Sequence, residues 1–299
     1  MRPIETTLAA RGPYDLRHVA AGSGDATRRF RDGTLTMAFE TPGGSATASV
    51  AQRRDGRLRL RLEGPHPDAA VDHLRFVLAV DDDHTEFLRR FAKDPLIGHV
   101  TRLRQGMRPL RTGTVSHALL RAVCGQLIAA REARQVESRV IRALCPRHGD
   151  LRLPPTSGDL AATSPARLAQ LGLASRKGAA VVRLSRALDL ERLRGMPTSA
   201  VVRRLCAEPT LGPWSAGVVC LQGLGRREHG LVGDLALIKL CSSLLGREAT
   251  ADDTAELLSG YGEWAGYASL YLKASGKIPS MPRSAFRSSR ASPPGMRVG

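Results

Sequence analysis

No Cys-x-x-Cys pair occurs in these 299 residues, and the five cysteines, Cys124, Cys145, Cys206, Cys220 and Cys241, stand far apart. That spacing excludes a zinc site or a clustered iron–sulfur ligand set read from cysteine, and points instead to buried, reduced thiols. No apolar run approaches the roughly 20 residues that span a bilayer, and no apolar stretch follows Met1 and Arg2 as a secretion signal requires. A soluble intracellular protein of the cytoplasm, with no membrane partner, is expected. Acidic residues are scarce, 28 Asp and Glu against 45 Lys and Arg, so the formal charge is +17. A field of that sign concentrates polyanions and releases their counterions, which puts nucleic acid ahead of an anionic membrane as partner. The basic residues are nearly all arginine, however, and arginine-heavy usage can reflect coding bias, so charge alone does not select DNA. Aromatic residues amount to 4%, yet both tryptophans and three of the four tyrosines fall within 214–271.

What is present divides into two styles of pattern. Leu35, Met37 and Phe39, then Leu58, Leu60 and Leu62, alternate with polar residues, and Ala46 to Val50 lies between the turn signals Gly43–Gly44 and Asp55–Gly56. Residues 34–63 therefore read as a three-strand antiparallel meander, extended by a strand near Tyr14–Arg17. Helical spacing takes over at 69–80 and 86–92, where two helices are expected to cover the sheet. From about residue 95 only helices are expected, with Ser116 capping one and Ser164–Pro165 opening another that Gly172 closes. The fold class is α+β, mostly α: a sheet-plus-helix domain over 1–94, a helical core over 95–274, and a disordered basic tail over 275–299 that is rich in Ser, Pro and Arg.

Two features of the helical part carry chemistry. Pro209-Thr210-Leu211-Gly212-Pro213-Trp214 places a tight turn before a helix, so that backbone N–H groups and the positive end of the helix dipole face outward, as a phosphate oxygen requires. Gly233-Asp234 opens an apolar-striped helix that Gly246 ends. Taken alone, the turn is an ordinary helix corner and Asp234 an ordinary N-cap. Their combination, a carboxylate 22 positions after Gly212 and beyond one intervening helix, is a much rarer arrangement.

In those residues the chain resembles the helix-hairpin-helix DNA glycosylases, and within them the bacterial 3-methyladenine glycosylase II branch, over about residues 10–275. The family's hairpin pattern is Leu-Pro-Gly-apolar-Gly; here it reads Glu208-Pro209-Thr210-Leu211-Gly212. Thr210 and Glu208 depart from the pattern, which implies a weaker phosphate grip, since Thr resists positive φ and Glu208 repels phosphate. The runs Gly212 to Ala216 and Leu231 to Asp234 match closely, and Asp94-Pro95-Leu96-Ile97-Gly98 resembles the junction between the family's sheet domain and its helical core. Ala122 to Leu127 resembles the family's Gly-Gln turn, which makes Leu127 the wedge that plugs the duplex and Gln126 its neighbour. Leu120 and Val123 share Leu127's helical stripe, so a core role for Leu127 stands beside that one.

The resemblance implies a monofunctional glycosylase for base excision repair, acting on duplex DNA that contains damaged bases. Its substrates would be alkylated purines, with deaminated and etheno purines as further candidates. Thr210, Leu211, Gly212 and Trp214 would form the phosphate-binding hairpin, Trp214 and Trp264 would wall the base pocket, and Asp234 would be catalytic, with Tyr267 and Tyr271 left to packing. Family members that also nick the strand carry a lysine where Trp214 stands, so no Schiff base is expected there. Branches with an iron–sulfur cluster carry clustered cysteines, which residues 242–299 lack. No metal or other cofactor is expected, a structural monovalent cation at the hairpin being the one ion the resemblance allows. A monomer suits an enzyme that bends DNA around one face, associated with the nucleoid. The alternatives are a non-catalytic DNA-damage-binding protein on the same fold, and a helical interaction protein that does not bind DNA.

Overall fold

The computed structural model describes residues 3–276; all but the first two positions of the expected basic tail lie outside them. A five-stranded antiparallel sheet forms first. Its strands are β1 (Ile4–Leu8), β2 (Arg28–Arg31), β3 (Thr34–Thr41), β4 (Gly44–Gln52) and β5 (Leu58–Glu63), in the order β1-β5-β4-β3-β2. The alternation in β5 buries Leu58, Leu60 and Leu62 and exposes the arginines between them. Leu35 pairs across from Val50, and Val50 from Leu60, so the expected meander holds in register. Helix α2 (Pro67–Val77) lays Ala70, Leu74 and Val77 over that apolar face.

The strand expected near Tyr14–Arg17 is instead the entry to helix α1 (Leu16–Ala20), and the added strands are β1 and β2. Asp15 caps α1 by accepting from Arg17 N at 2.8 Å. The Gln52 side chain stands in for a neighbouring strand, accepting from Leu16 N at 2.8 Å and donating to Tyr14 O at 2.9 Å. Alternation alone cannot distinguish that side-chain pairing from a ladder.

Helix α3 (Thr85–Arg90) also departs from expectation. It turns away from the sheet and buries Phe87 among Trp264, Tyr267 and Tyr271, with ring centroids 5.0–5.9 Å apart. The rest of the chain is mostly helical: α4 (Gly98–Leu103), α5 (Val115–Gly125), α6 (Ala130–Leu144), α7 (Ser157–Ala162), α8 (Pro165–Gln170), α9 (Ser175–Ala187), α10 (Thr198–Cys206), α11 (Pro213–Val218), α12 (Leu235–Leu245), α13 (Ala251–Ser259) and α14 (Ala265–Ala274). A small ladder between Arg147–His148 and Leu151–Arg152 interrupts the helices. Thr114, not Ser116, caps α5 by accepting from His117 N at 3.0 Å, while Ser116 is buried inside the helix 3.0 Å from Ser157 Oγ. Cys124, Cys145, Cys206 and Cys220 are free thiols, and no helix among the described residues is long and apolar enough to cross a membrane.

His84 sits at the seam between the sheet side and the C-terminal helices, fully buried, and donates from Nε2 to Gln105 O at 2.7 Å. Burial first, and then the Arg108 charge, push its pKa down to about 4. The unfolded chain protonates this imidazole near pH 6.5, so unfolding takes up a proton between pH 6.5 and 4. The stability that His84 contributes above pH 6.5 is therefore lost as pH falls toward 4. Denaturant unfolding of the wild type should show a loss of about 1–2 kcal/mol from this group by pH 5. His84→Gln, which keeps a donor for Gln105 but cannot titrate, should remove that share, and an unchanged slope would refute the assignment.

Candidate active site

Asp234 is both helix cap and buried carboxylate. As N-cap of α12 it accepts from Ala236 N at 3.0 Å through Oδ1, and its side chain is almost wholly covered. Oδ2 accepts from Trp214 Nε1 at 3.0 Å and from Lys273 Nζ at 2.7 Å. Three donors from α11, α12 and α14 thus hold one carboxylate at the wall of a cleft of about 510 Å³. The preceding Gly233 has φ +82°, the left-handed backbone that turns the chain into α12. Close approach sets the other side: a Cβ on Gly217 of α11 would lie 2.5 Å from Gly230 O, so only glycine lets the loop before Asp234 settle against α11.

Trp214 lines the same cleft, and Gly125 at the end of α5 makes room for it. A Cβ there would stand 2.8 Å from the indole edge. Gln126 follows, donating through Nε2 to Thr210 O at 2.8 Å and to Ser215 Oγ at 2.9 Å, which ties the α5–α6 turn to the hairpin. Leu127 stands at the tip, 82% exposed with φ +61°. A core role for it is thereby excluded, because its neighbours Leu120 and Val123 are fully buried while Leu127 faces outward. An exposed leucine in left-handed backbone is doubly unfavourable for stability.

The hairpin's two departures are accommodated. Thr210 is absent from the positive-φ positions, so no backbone strain arises there. Glu208 is buried and its carboxylate is taken by Arg183, whose Nε donates to Oε2 at 3.0 Å and whose Nη2 donates to Oε1. The repulsion expected of Glu208 toward phosphate is thus offset by a guanidinium. Leu211 anchors the turn in the core, and Gly212, extended at φ −102°, ψ −177°, has open space where a side chain would be.

No protein-family model matches the sequence. Over 285 residues the chain is 26% identical to a probable bifunctional transcriptional activator/DNA repair enzyme AlkA of Mycobacterium tuberculosis, which covers 90% of this chain and 55% of that protein. The chain thus spans about half the length of this relative. It is 25% identical over 208 residues to a DNA-3-methyladenine glycosylase of Bacillus subtilis, covering 64% of this chain and 67% of that one. In three dimensions it matches the 3-methyladenine DNA-glycosylase from Archaeoglobus fulgidus with a TM-score of 0.77 at 16% identity, over 90% of this chain and 97% of that chain. The chain has the helix-hairpin-helix DNA glycosylase fold.

On this glycosylase fold, Trp264 is not a cleft wall. It is 1% exposed in the aromatic core with Phe87 and Tyr267, and the Arg227 guanidinium lies 3.7 Å over its ring. Tyr267 and Tyr271 pack there as expected. In place of Trp264 the cleft gains residues that the sequence reading missed: Lys273, and an inner group of Arg121, Glu137 and Gln222. Glu137 carried a signal, being an acidic residue at the apolar spacing of Ala133 and Ile141 on α6. Arg121 bridges it to Asp25, donating to Glu137 Oε1 at 2.9 Å and to Asp25 Oδ2, while His117 Nε2 lies 2.7 Å from Glu137 Oε1. Burial drives both carboxylates upward, but Arg28, His117 and Arg121 hold Asp25 well below the usual carboxylate range. Arg121 and the His117 hydrogen bond likewise hold Glu137 down. Ligand atoms of Asp25, His117 and Glu137 fall within 4.8 Å of one another, yet the guanidinium inserted among them makes this an ion-pair network rather than a metal cage.

Proposed function

We propose that the chain is a monofunctional DNA glycosylase that extrudes an alkylated purine from duplex DNA and hydrolyses its N-glycosidic bond, leaving an abasic site. The observation that carries this reading is the carboxylate of Asp234, held by three donors at the wall of a cleft whose rim bears the exposed Leu127. Reaching a stacked base requires backbone capture, extrusion and plugging of the gap. The hairpin turn at Thr210–Gly212 supplies the capture, Leu127 the plug, and the cleft beside Trp214 the receiving space. Arg131, Arg134, Arg139 and Arg142 line a groove that adjoins the cleft through Arg134, which suits the phosphates flanking the extruded nucleotide. Bond cleavage then builds positive charge on the sugar, which Asp234 stabilises while it orients or deprotonates water. An N-alkylated purine already carries positive charge and leaves without a dedicated acid, so one carboxylate suffices.

The non-catalytic binder loses its motive, because the hairpin departures that suggested it are compensated by Arg183 and by ordinary backbone at Thr210. The deciding assay is base release by the full chain from methylated duplex DNA, beside duplexes carrying hypoxanthine or uracil. Release of methylated purines is expected; release of uracil with no methylated base would overturn the substrate assignment.

An amine does stand in the cleft: Lys273 Nζ, 2.7 Å from Asp234 Oδ2. Held in that ion pair, the ammonium has no lone pair to attack C1′. Incubation with damaged duplex under borohydride is therefore expected to trap no covalent complex. A trapped complex that disappears in Lys273→Met would overturn the monofunctional reading.

A further inference from the structure

The inner wall of the cleft offers a defined hydrogen-bond pattern. Glu137 is 2% exposed and lines the cleft. Its Oε1 is occupied by His117 Nε2 and Arg121 Nε, while Oε2 has no hydrogen-bond partner among the described residues. Gln222 lies in the wide π-turn Val219–Leu224 that continues α11, and its side chain also lines the cleft. Arg121 Nη1 donates to Gln222 Oε1 at 3.3 Å. A guanidinium can only donate, so this contact fixes the amide with its oxygen toward Arg121 and its NH₂ free. Arg121 is itself engaged by Glu137, Asp25 and Gln222. It therefore positions Glu137 and Gln222 and is not itself the reader.

We propose that Glu137 and Gln222 read the edge of the extruded base, so that the site takes purines whose edge offers an N–H beside an acceptor and rejects those whose edge nitrogens are bridged by an adduct. The proposal rests on the glycosylase reading and narrows its substrate class. Methylated adenine and guanine keep an exocyclic amine, guanine-like bases and hypoxanthine keep a ring N–H, and each can donate to Glu137 Oε2 while accepting from Gln222. An etheno bridge across the amine and ring nitrogen of adenine consumes the amine donor and leaves the former amine nitrogen as an acceptor facing a buried carboxylate. An acceptor set against the unpartnered Oε2 of a buried carboxylate forfeits the hydrogen bond and leaves that oxygen desolvated, a loss on the order of 30-fold in rate. Removing the positive charge of an alkylated base compounds the effect.

Single-turnover base release by the full chain tests this on duplexes carrying 7-methylguanine, hypoxanthine and ethenoadenine, each rate divided by its uncatalysed rate. Wild type should release ethenoadenine about 30-fold more slowly than either other base. In Glu137→Gln the amide oxygen must serve Arg121 and His117, so its NH₂ faces the cleft. The discrimination should then shrink about tenfold or invert. Gln222→Leu should slow hypoxanthine, which needs the donor to its oxygen, while sparing the network on Asp25. Thermal melting of each variant separates misfolding from altered reading, and the wild-type ratio stands without either variant. Equal wild-type rates on all three bases, or a ratio unmoved in a folded Glu137→Gln protein, would overturn the edge reading while leaving glycosylase activity intact. Absence of release from every duplex would instead overturn the glycosylase reading and this inference with it.

Discussion

Asp234→Asn should lose base release by about 10³-fold or more while still binding lesion-bearing duplex. The substitution isolates chemistry from architecture because asparagine is as good an N-cap as aspartate, so the bond to Ala236 N persists and α12 keeps its start. What disappears is the negative charge facing the developing sugar cation. The cost inside the protein is local. Oδ2 accepts from both Trp214 and Lys273, and an amide NH₂ in that place meets two donors. Trp214 then loses the bond that fixes its indole edge, and Lys273 loses its counter-ion. Because Lys273 is partly open to water, the melting temperature should fall only modestly. Single-turnover release and gel-shift titration on the same duplex decide the matter. A variant that releases base within tenfold of wild type would remove Asp234 from catalysis, and one that loses binding together with release would make it a structural cap.

The residues of this site differ in how openly the chain displays them. Asp234 was readable because a left-handed glycine and an apolar stripe mark a helix start, and Trp214 because it follows a Gly-Pro turn. Residues 34–63 were readable because alternation with period two leaves few other ways to bury one face. Trp264 was misplaced for an instructive reason. Its spacing to Tyr267 and Tyr271 is helical, so all of them share a face, and that face is the core that Phe87 fills. Periodicity pointed to packing, and the family resemblance pulled the assignment the other way. Glu208 and Thr210 misled in the opposite direction, because the partner that neutralises Glu208 lies 25 residues upstream. Asp25 and Arg121 are 96 residues apart, and Asp234 and Lys273 are 39 apart. Such pairs arise only when the sheet, α5, α12 and α14 have been brought together, and no local pattern encodes them.

Leu127→Gly should leave the fold as stable as the wild type, or more so, and yet slow base release from duplex by about a hundredfold. The leucine buries little, being 82% exposed, and its φ of +61° costs an L-residue roughly 1–2 kcal/mol that glycine does not incur. Selection for stability alone has no reason to keep it. In the proposed reaction it fills the gap left by the extruded nucleotide, and losing that contact leaves unstacking uncompensated, at a few kcal/mol per step. The penalty should therefore depend on the substrate: large for a lesion in a paired duplex, and small for the same lesion opposite a gap or in a single strand, where little stacking has to be broken. Gln126 donates to Thr210 O and Ser215 Oγ whatever side chain follows it, so the turn keeps its attachment to the hairpin and phosphate capture is preserved. A glycine variant with wild-type rates on duplex would show that Leu127 does not act as the wedge. A variant slowed equally on duplex and single strand would place its effect on the chemical step instead.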